Sequence, residues 1–191
     1  MHKLISSSIA TLLLAASANA TLLDFDILGR SGAGMRFDNE NPSSASIGTG
    51  GEIGLGITYD DASNLLTLNV GWGLLQGFTN LTGTVSAAHI HAAPGPNFLT
   101  TNGGVIISLD GATPGFSNSA TNGGWSNTQV TLSAVQETQL LGGQLYLNAH
   151  TAANGGGEIR GNLVPSPVPE PTSAGLAAIG ALALLRRRNR A

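Results

Sequence analysis

The sequence predicts a single all-β domain, an antiparallel β-sandwich of Greek-key type with one short helix. Apolar residues recur mostly with a period of two. The apolar runs are short and separated by turns rich in Gly, Asn and Ser. Residues 21–165 are enough for one domain with a proper core, flanked by segments 1–20 and 166–191 of different composition.

The chain opens with a secretory signal. His2 and Lys3 make a short basic start, and Leu4 to Ala16 form an apolar run broken only by small hydroxyl residues. Ala18-Asn19-Ala20 then supplies the small-x-small pattern of signal peptidase, with cleavage expected after Ala20. The run is too short for a spanning helix, which needs about 20 residues.

Within the domain, Leu23, Phe25 and Ile27 alternate with Asp24 and Asp26 in a first strand, 21–28. Residues 38–51 read as a loop by composition. Ile53, Leu55 and Ile57 alternate with Glu52 and two glycines over 52–59, and 65–72 pairs with this stretch across "DDASN" as a hairpin. Adjacent acids such as Asp60 and Asp61 are turn formers, and a cation at that tip is the alternative. Residues 83–92, 103–111 and 128–134 are further strands, with 111–127 a long loop between the last two. One helical turn of apolar spacing with a Gly stop marks a short helix over 135–143. Strands 144–151 and 158–164 complete the domain across "AANGGG".

Composition removes several functions. There is no cysteine, so neither a disulfide nor thiol chemistry is available in the oxidising compartment. Residues 21–165 hold three arginines against ten Asp and Glu, a net charge of −7, which repels nucleic acid and anionic lipid. No Gly-x-Ser-x-Gly elbow, phosphate loop or His-Glu-x-x-His occurs. Nothing in the sequence assigns a catalytic residue.

The candidate site is histidine. The three histidines of this stretch are His89 and His91, in "AAHIHAAPGP", and His150, in "QLYLNAHT". Residues i and i+2 of a strand share a face with Cα atoms about 6.6 Å apart. With Ile90 in the core, His89 and His91 point the other way. With Leu145, Leu147 and Ala149 inward, Tyr146, Asn148 and His150 also face away from it. Two imidazoles on one strand and a third from a neighbour can hold one ion at about 2.0–2.1 Å. Imidazole suits copper or zinc better than calcium or magnesium. The structural alternative is that each His bonds a loop carbonyl and orders the Pro-Gly turn. Glu158 and Arg160 share a strand face around Ile159. They are expected to be structural charge partners rather than a catalytic acid and its anion clamp.

Two strings carry a family resemblance: "AAHIHAAPGPNFLTTNGGVIISLDG" and "QLYLNAHTAANGGGEIRGNL". Over roughly 48–163 they resemble the CHRD domain, named after chordin. "NENPSSAS" (39–46) resembles a degraded form of that family's Glu-x-Pro-Pro motif, and Ala92 stands where the family usually has Gly. The resemblance implies an extracellular binding or structural module with no established reaction. A fainter one is to copper-zinc superoxide dismutases, which would make His89, His91 and His150 copper ligands and Arg160 the anion-steering arginine. The departures are the missing bridging His, zinc loop and disulfide, and the charge of −7 also disfavours superoxide capture.

At the C-terminus, Val168-Pro169-Glu170-Pro171 precedes apolar residues 172–185 and the Arg-rich 186–190. The 14 apolar-segment residues would span only about 21 Å as a helix, short of a hydrocarbon core of roughly 30 Å. Snorkelling arginines and bilayer thinning cover part of the gap. The Arg cluster predicts a cytoplasmic end with the domain outside. Besides a plain transmembrane anchor, the three-part pattern resembles the PEP-CTERM sorting signal. That implies a Gram-negative bacterium making extracellular polysaccharide, an exosortase partner, and residence in the envelope, at the cell surface or in the matrix. Extracellular polysaccharide and surface proteins are the further candidate partners.

Overall fold

The computed structural model describes residues 21–37, 47–95 and 97–167. The expected signal peptide with Ala20, residues 39–46 and the Pro169-Glu170-Pro171 segment lie outside them. In chain order the elements are β1 (Leu22–Gly29), β2 (Gly32–Ala33), β3 (Gly50–Asp60), β4 (Leu65–Trp72), β5 (Val85–Ala92), β6 (Gly104–Ser108), β7 (Phe116–Ser117), β8 (Gly123–Thr131), α1 (Ala134–Leu141), β9 (Leu145–Thr151) and β10 (Asn154–Pro165). Among the described residues no helix is long and apolar enough to cross a membrane.

All pairings between these strands are antiparallel, in the order β6-β5-β9-β10-β1-β3-β4-β8-β7 with β2 beside β1. The sheet curls into a half-barrel, and its two halves face each other over one core. This is the all-β, sandwich-like architecture with one short helix that the periodicity predicts. The connections β4 to β5, β6 to β7 and β8 through α1 to β9 join strands that are not neighbours, as in a Greek key.

Alternation accounts for the core. Phe25 and Ile27, Ile57 and Tyr59, Leu66, Leu68 and Val70, Leu145, Leu147 and Ala149 are all buried on the inner face. Each large apolar side chain so buried contributes about 1.5–3 kcal/mol. Trp72 and Trp125 meet edge to face with ring centroids 5.1 Å apart. The Trp72 indole N–H donates to Ser119 O at 2.8 Å, and that of Trp125 donates to Leu109 O at 2.9 Å, which ties β8 to the segment after β6. The seam is closed further by Val85 N donating to Asn118 O at 2.8 Å and Leu81 N to Ala120 O at 3.1 Å.

The local signals at turns are used as expected. Ser133 caps α1 in a capping box with Gln136, and Gly142 ends it. Asp60 accepts from Ala62 N at 3.0 Å and Ser63 Oγ at 2.8 Å. The Ser63 bond holds its carboxyl below the usual range. Asp60 thus serves the hairpin turn.

Two departures have a physical cause. Leu55, expected in the core, is 90% exposed. The register jumps from Glu52↔Val70 to Ile57↔Leu68, a bulge built on Gly54 (φ 56°) and Gly56 (φ 70°). The second is 123–127, expected as loop but forming the first half of β8. A bulge between Leu68 and Val70 breaks the alternation there, with Asn127 at φ 49° and its amide on Asn69 Oδ1 at 2.8 Å.

Glycine at 124 is a packing requirement. It sits at positive φ, and a Cβ there would run into the Val70 carbonyl oxygen and Gly71 Cα. Gly124→Ala is expected to destabilise the fold by about 1–3 kcal/mol, an overpacking cost. Gly104→Ala, where a Cβ meets nothing within 4 Å, serves as the near-neutral control. Urea unfolding of both variants checks the difference, and equal midpoints would contradict this packing.

Candidate functional site

The pairing of β5 with β9 assembles the site. His89 lies opposite Asn148, His91 opposite Tyr146, and Ala87 opposite His150. Ile90, Leu147 and Ala149 enter the core, so the alternation sends all three histidines to the other face, as the sequence predicts. The rings converge, with centroid separations of 5.5 Å for His89–His91, 5.1 Å for His89–His150 and 6.3 Å for His91–His150. One ring nitrogen from each lies within 4.8 Å of the others.

Hydrogen bonding orients two of the rings. His91 Nδ1 is 3.0 Å from Gly103 O, and His150 Nδ1 is 2.9 Å from Gly155 O. A carbonyl only accepts, so both Nδ1 atoms carry the proton and both Nε2 atoms carry the lone pair. His89 Nδ1 lies 3.2 Å from His150 Nε2. In the neutral cluster His89 is therefore the donor of that pair. An ion bound at about 2.0–2.1 Å to each nitrogen requires N···N separations of roughly 3–4 Å. The 3.2 Å pair already satisfies this, and the 4.8 Å limit is wider by less than about an ångström. The three rings are thus a group that could hold an ion once the wider separations close. The group also carries the carbonyl-held Nδ1–H pattern that orients metal-binding histidines.

The face around the histidines is not the solvated one that simple alternation implies. Tyr146, Asn148, Glu158, Arg160 and Asn162 are buried on it, and His91 is nearly so. The loop after β5 meets Arg160, Tyr146 and His91. Arg160 Nη2 donates to Phe98 O at 2.7 Å and Thr101 O at 3.0 Å, and Nη1 donates to Asn102 Oδ1 at 2.9 Å. Its guanidinium carbon lies 3.4 Å from the centre of the Tyr146 ring, a cation–π contact. Tyr146 stacks in turn on His91, with centroids 4.7 Å apart and planes 10° from parallel. Its hydroxyl accepts from Gly103 N at 3.0 Å. Arginine, tyrosine and histidine thus follow one another across β10, β9 and β5.

Glu158 serves a different part of the layer. It accepts from Thr82 N at 2.7 Å, from Thr82 Oγ1 and Thr151 Oγ1 at 2.6 Å each, and from Asn154 Nδ2 at 3.2 Å. Glu158 and Arg160, expected as charge partners, each fasten a segment of their own. The anion-steering role for Arg160 is corrected: the side chain is fully buried and its donors face loop oxygens. Alternation assigns no role to residues 97–103. The available signal was the charged pair in "GEIRG", on a strand that pairs on both edges and so lies inside the sheet.

These features define a class, a β half-barrel module whose outer face is a buried polar layer ending in a histidine cluster. A family model for the CHRD domain matches residues 33–163, and the chain belongs to the CHRD domain family. A second model, for the PEP-CTERM protein-sorting motif, matches residues 167–190. Together they make this an exosortase-sorted extracellular protein, and the motif associates it with the envelope or surface of a Gram-negative bacterium. No curated protein and no solved structure matches the chain.

Arg160 is expected to be the most sensitive position of the layer. Arg160→Met orphans the Phe98 and Thr101 carbonyls and Asn102, and should cost roughly 2–4 kcal/mol in urea unfolding. Arg160→Lys should recover little, because one ammonium cannot replace a planar fork and its stack on Tyr146. Wild-type stability in Arg160→Met would contradict this role.

Proposed function

We propose that residues 21–165, between a signal peptide cleaved after Ala20 and a sorting segment at 166–191, form a non-catalytic binding module of the cell envelope. Its binding site is the cluster of His89, His91 and His150, and its ligand is one copper(II) or zinc ion. The observation that carries this is the convergence of all three histidines of the domain on one patch, each presenting a nitrogen within 4.8 Å of the other two.

The chemistry follows from the donor set. Imidazole nitrogen is a ligand of borderline softness, matched to copper and zinc. Carbonyls hold the Nδ1–H groups of His91 and His150 and leave their Nε2 lone pairs for the ion. On binding, the His89 ring changes tautomer: its proton moves from Nδ1 to Nε2, the ring stays neutral, and the Nδ1 lone pair is freed for the ion. The domain charge of −7 raises the local concentration of cations. The same charge repels an anionic substrate, and Arg160 is occupied by its loop, so the dismutase-like alternative lacks its steering residue.

The mature protein should melt higher with copper(II) or zinc. At about 100 times the dissociation constant the stabilisation is roughly 2.7 kcal/mol, several degrees for a domain of this size. The shift should disappear in acid, where protonated imidazole has no lone pair to donate. His150→Gln should abolish it and leave the metal-free melting temperature nearly unchanged, since this side chain lies outside the core. A shift that survives His150→Gln would overturn the three-His site. Absence of any shift, together with a loss of more than about 1–3 kcal/mol in metal-free His150→Gln, would assign the cluster a structural role.

A further inference from the structure

The end of the half-barrel where β1 begins carries a set of carboxylates. Leu22 pairs with Asp60 at the edge of the β1–β3 ladder, and Asp61 follows in the turn. Burial pushes the Tyr59 hydroxyl up to about 12, and the nearby Glu137, Asp61 and Asp60 carboxylates act in the same direction. The basic residues of 21–165 are elsewhere in the fold. Arg30 is in the turn at the far end of β1, Arg36 reaches Ala33 O at 2.8 Å, and Arg160 is held under its loop.

Besides the Ala62 amide on Asp60, the backbone nitrogen of Thr21 reaches these acids. Thr21 N lies 2.8 Å from Asp61 Oδ1, and Asp61 N returns a bond to Thr21 O at 3.4 Å. In the precursor Thr21 N is a peptide N–H, neutral, with a single proton. Hydrolysis of the Ala20–Thr21 bond by signal peptidase adds water across it. Ala20 leaves with a carboxylate, and the Thr21 nitrogen becomes an amine that takes up a proton to carry a positive charge. The charge arises where the acceptor already stands.

We propose that the mature amino terminus is a built-in cation of this fold: cleavage after Ala20 converts the Thr21–Asp61 hydrogen bond into an ion pair that fastens β1 to the β3–β4 turn. Export and folding are thereby coupled, since the processed chain is held more firmly than its precursor. The inference rests on cleavage at Ala20, and mass determination tests that part separately.

The composition offers a clean experiment. The sequence has a single lysine, Lys3, so within residues 21–191 cleavage leaves one amine, that of Thr21. Mature protein extracted from the host surface is first weighed by mass spectrometry, then acetylated with an amine-reactive ester and melted. Acetylation should lower the melting temperature by about one to four degrees at low salt, the range of a surface ion pair in a domain of this size. The loss should shrink with added salt and vanish in Asp61→Asn. An unchanged melting temperature in the acetylated wild type, or an equal drop in Asp61→Asn, would overturn the ion pair. A mature mass that starts elsewhere than Thr21 would overturn the cleavage on which it depends.

Discussion

The Arg160 guanidinium lies fully buried on the outer face of the sheet, and the arrangement of that face follows from the need to satisfy its donors. A charge removed from water costs several kcal/mol unless it is hydrogen-bonded or paired. Here the oxygens come from Phe98, Thr101 and Asn102, residues far from Arg160 in sequence. Loop 97–103 is therefore drawn down over β9 and β10 and seals the polar layer. The backbone of Arg160 is committed as well, exchanging bonds with Arg36 at 2.7 and 2.8 Å.

The histidine cluster inherits its geometry from this layer. Arg160 stacks on Tyr146, Tyr146 stacks on His91, and the same loop supplies the Gly103 carbonyl that orients His91 Nδ1. His150 is oriented from the other side, by Gly155 at the start of β10. The core beneath keeps β5 and β9 in the register that brings His89 and His150 together. A domain without cysteine thus gains a rigid polar surface from one buried arginine, a carboxylate held by Thr82, Thr151 and Asn154, and an aromatic stack.

Much of this was legible in the sequence because it depends on local alternation. Ile90 between His89 and His91, and Leu147 and Ala149 beside His150, suffice to place the histidines on one face. Local rules stop where a bulge resets the period, as at Gly54–Gly56 and at Asn127, so they misplace Leu55 and residues 123–127. They also cannot tell a solvated face from a covered one. Tyr146 turns away from the core as expected, yet it is buried, because its cover arrives from a loop more than 40 residues earlier in the chain. The charged residues of "GEIRG" were visible, but their partners lie at a sequence distance that periodicity does not reach.

Amide hydrogen exchange resolved by residue tests the central claim, that the buried arginine holds loop 97–103 as part of the folded layer. Gly103 N donates to Tyr146 Oη, so its exchange should be as slow as that of the amides in β9. It should open with the strands rather than before them. Exchange of Gly103 at the rate of an unstructured chain, with β9 and β10 still protected, would contradict the account.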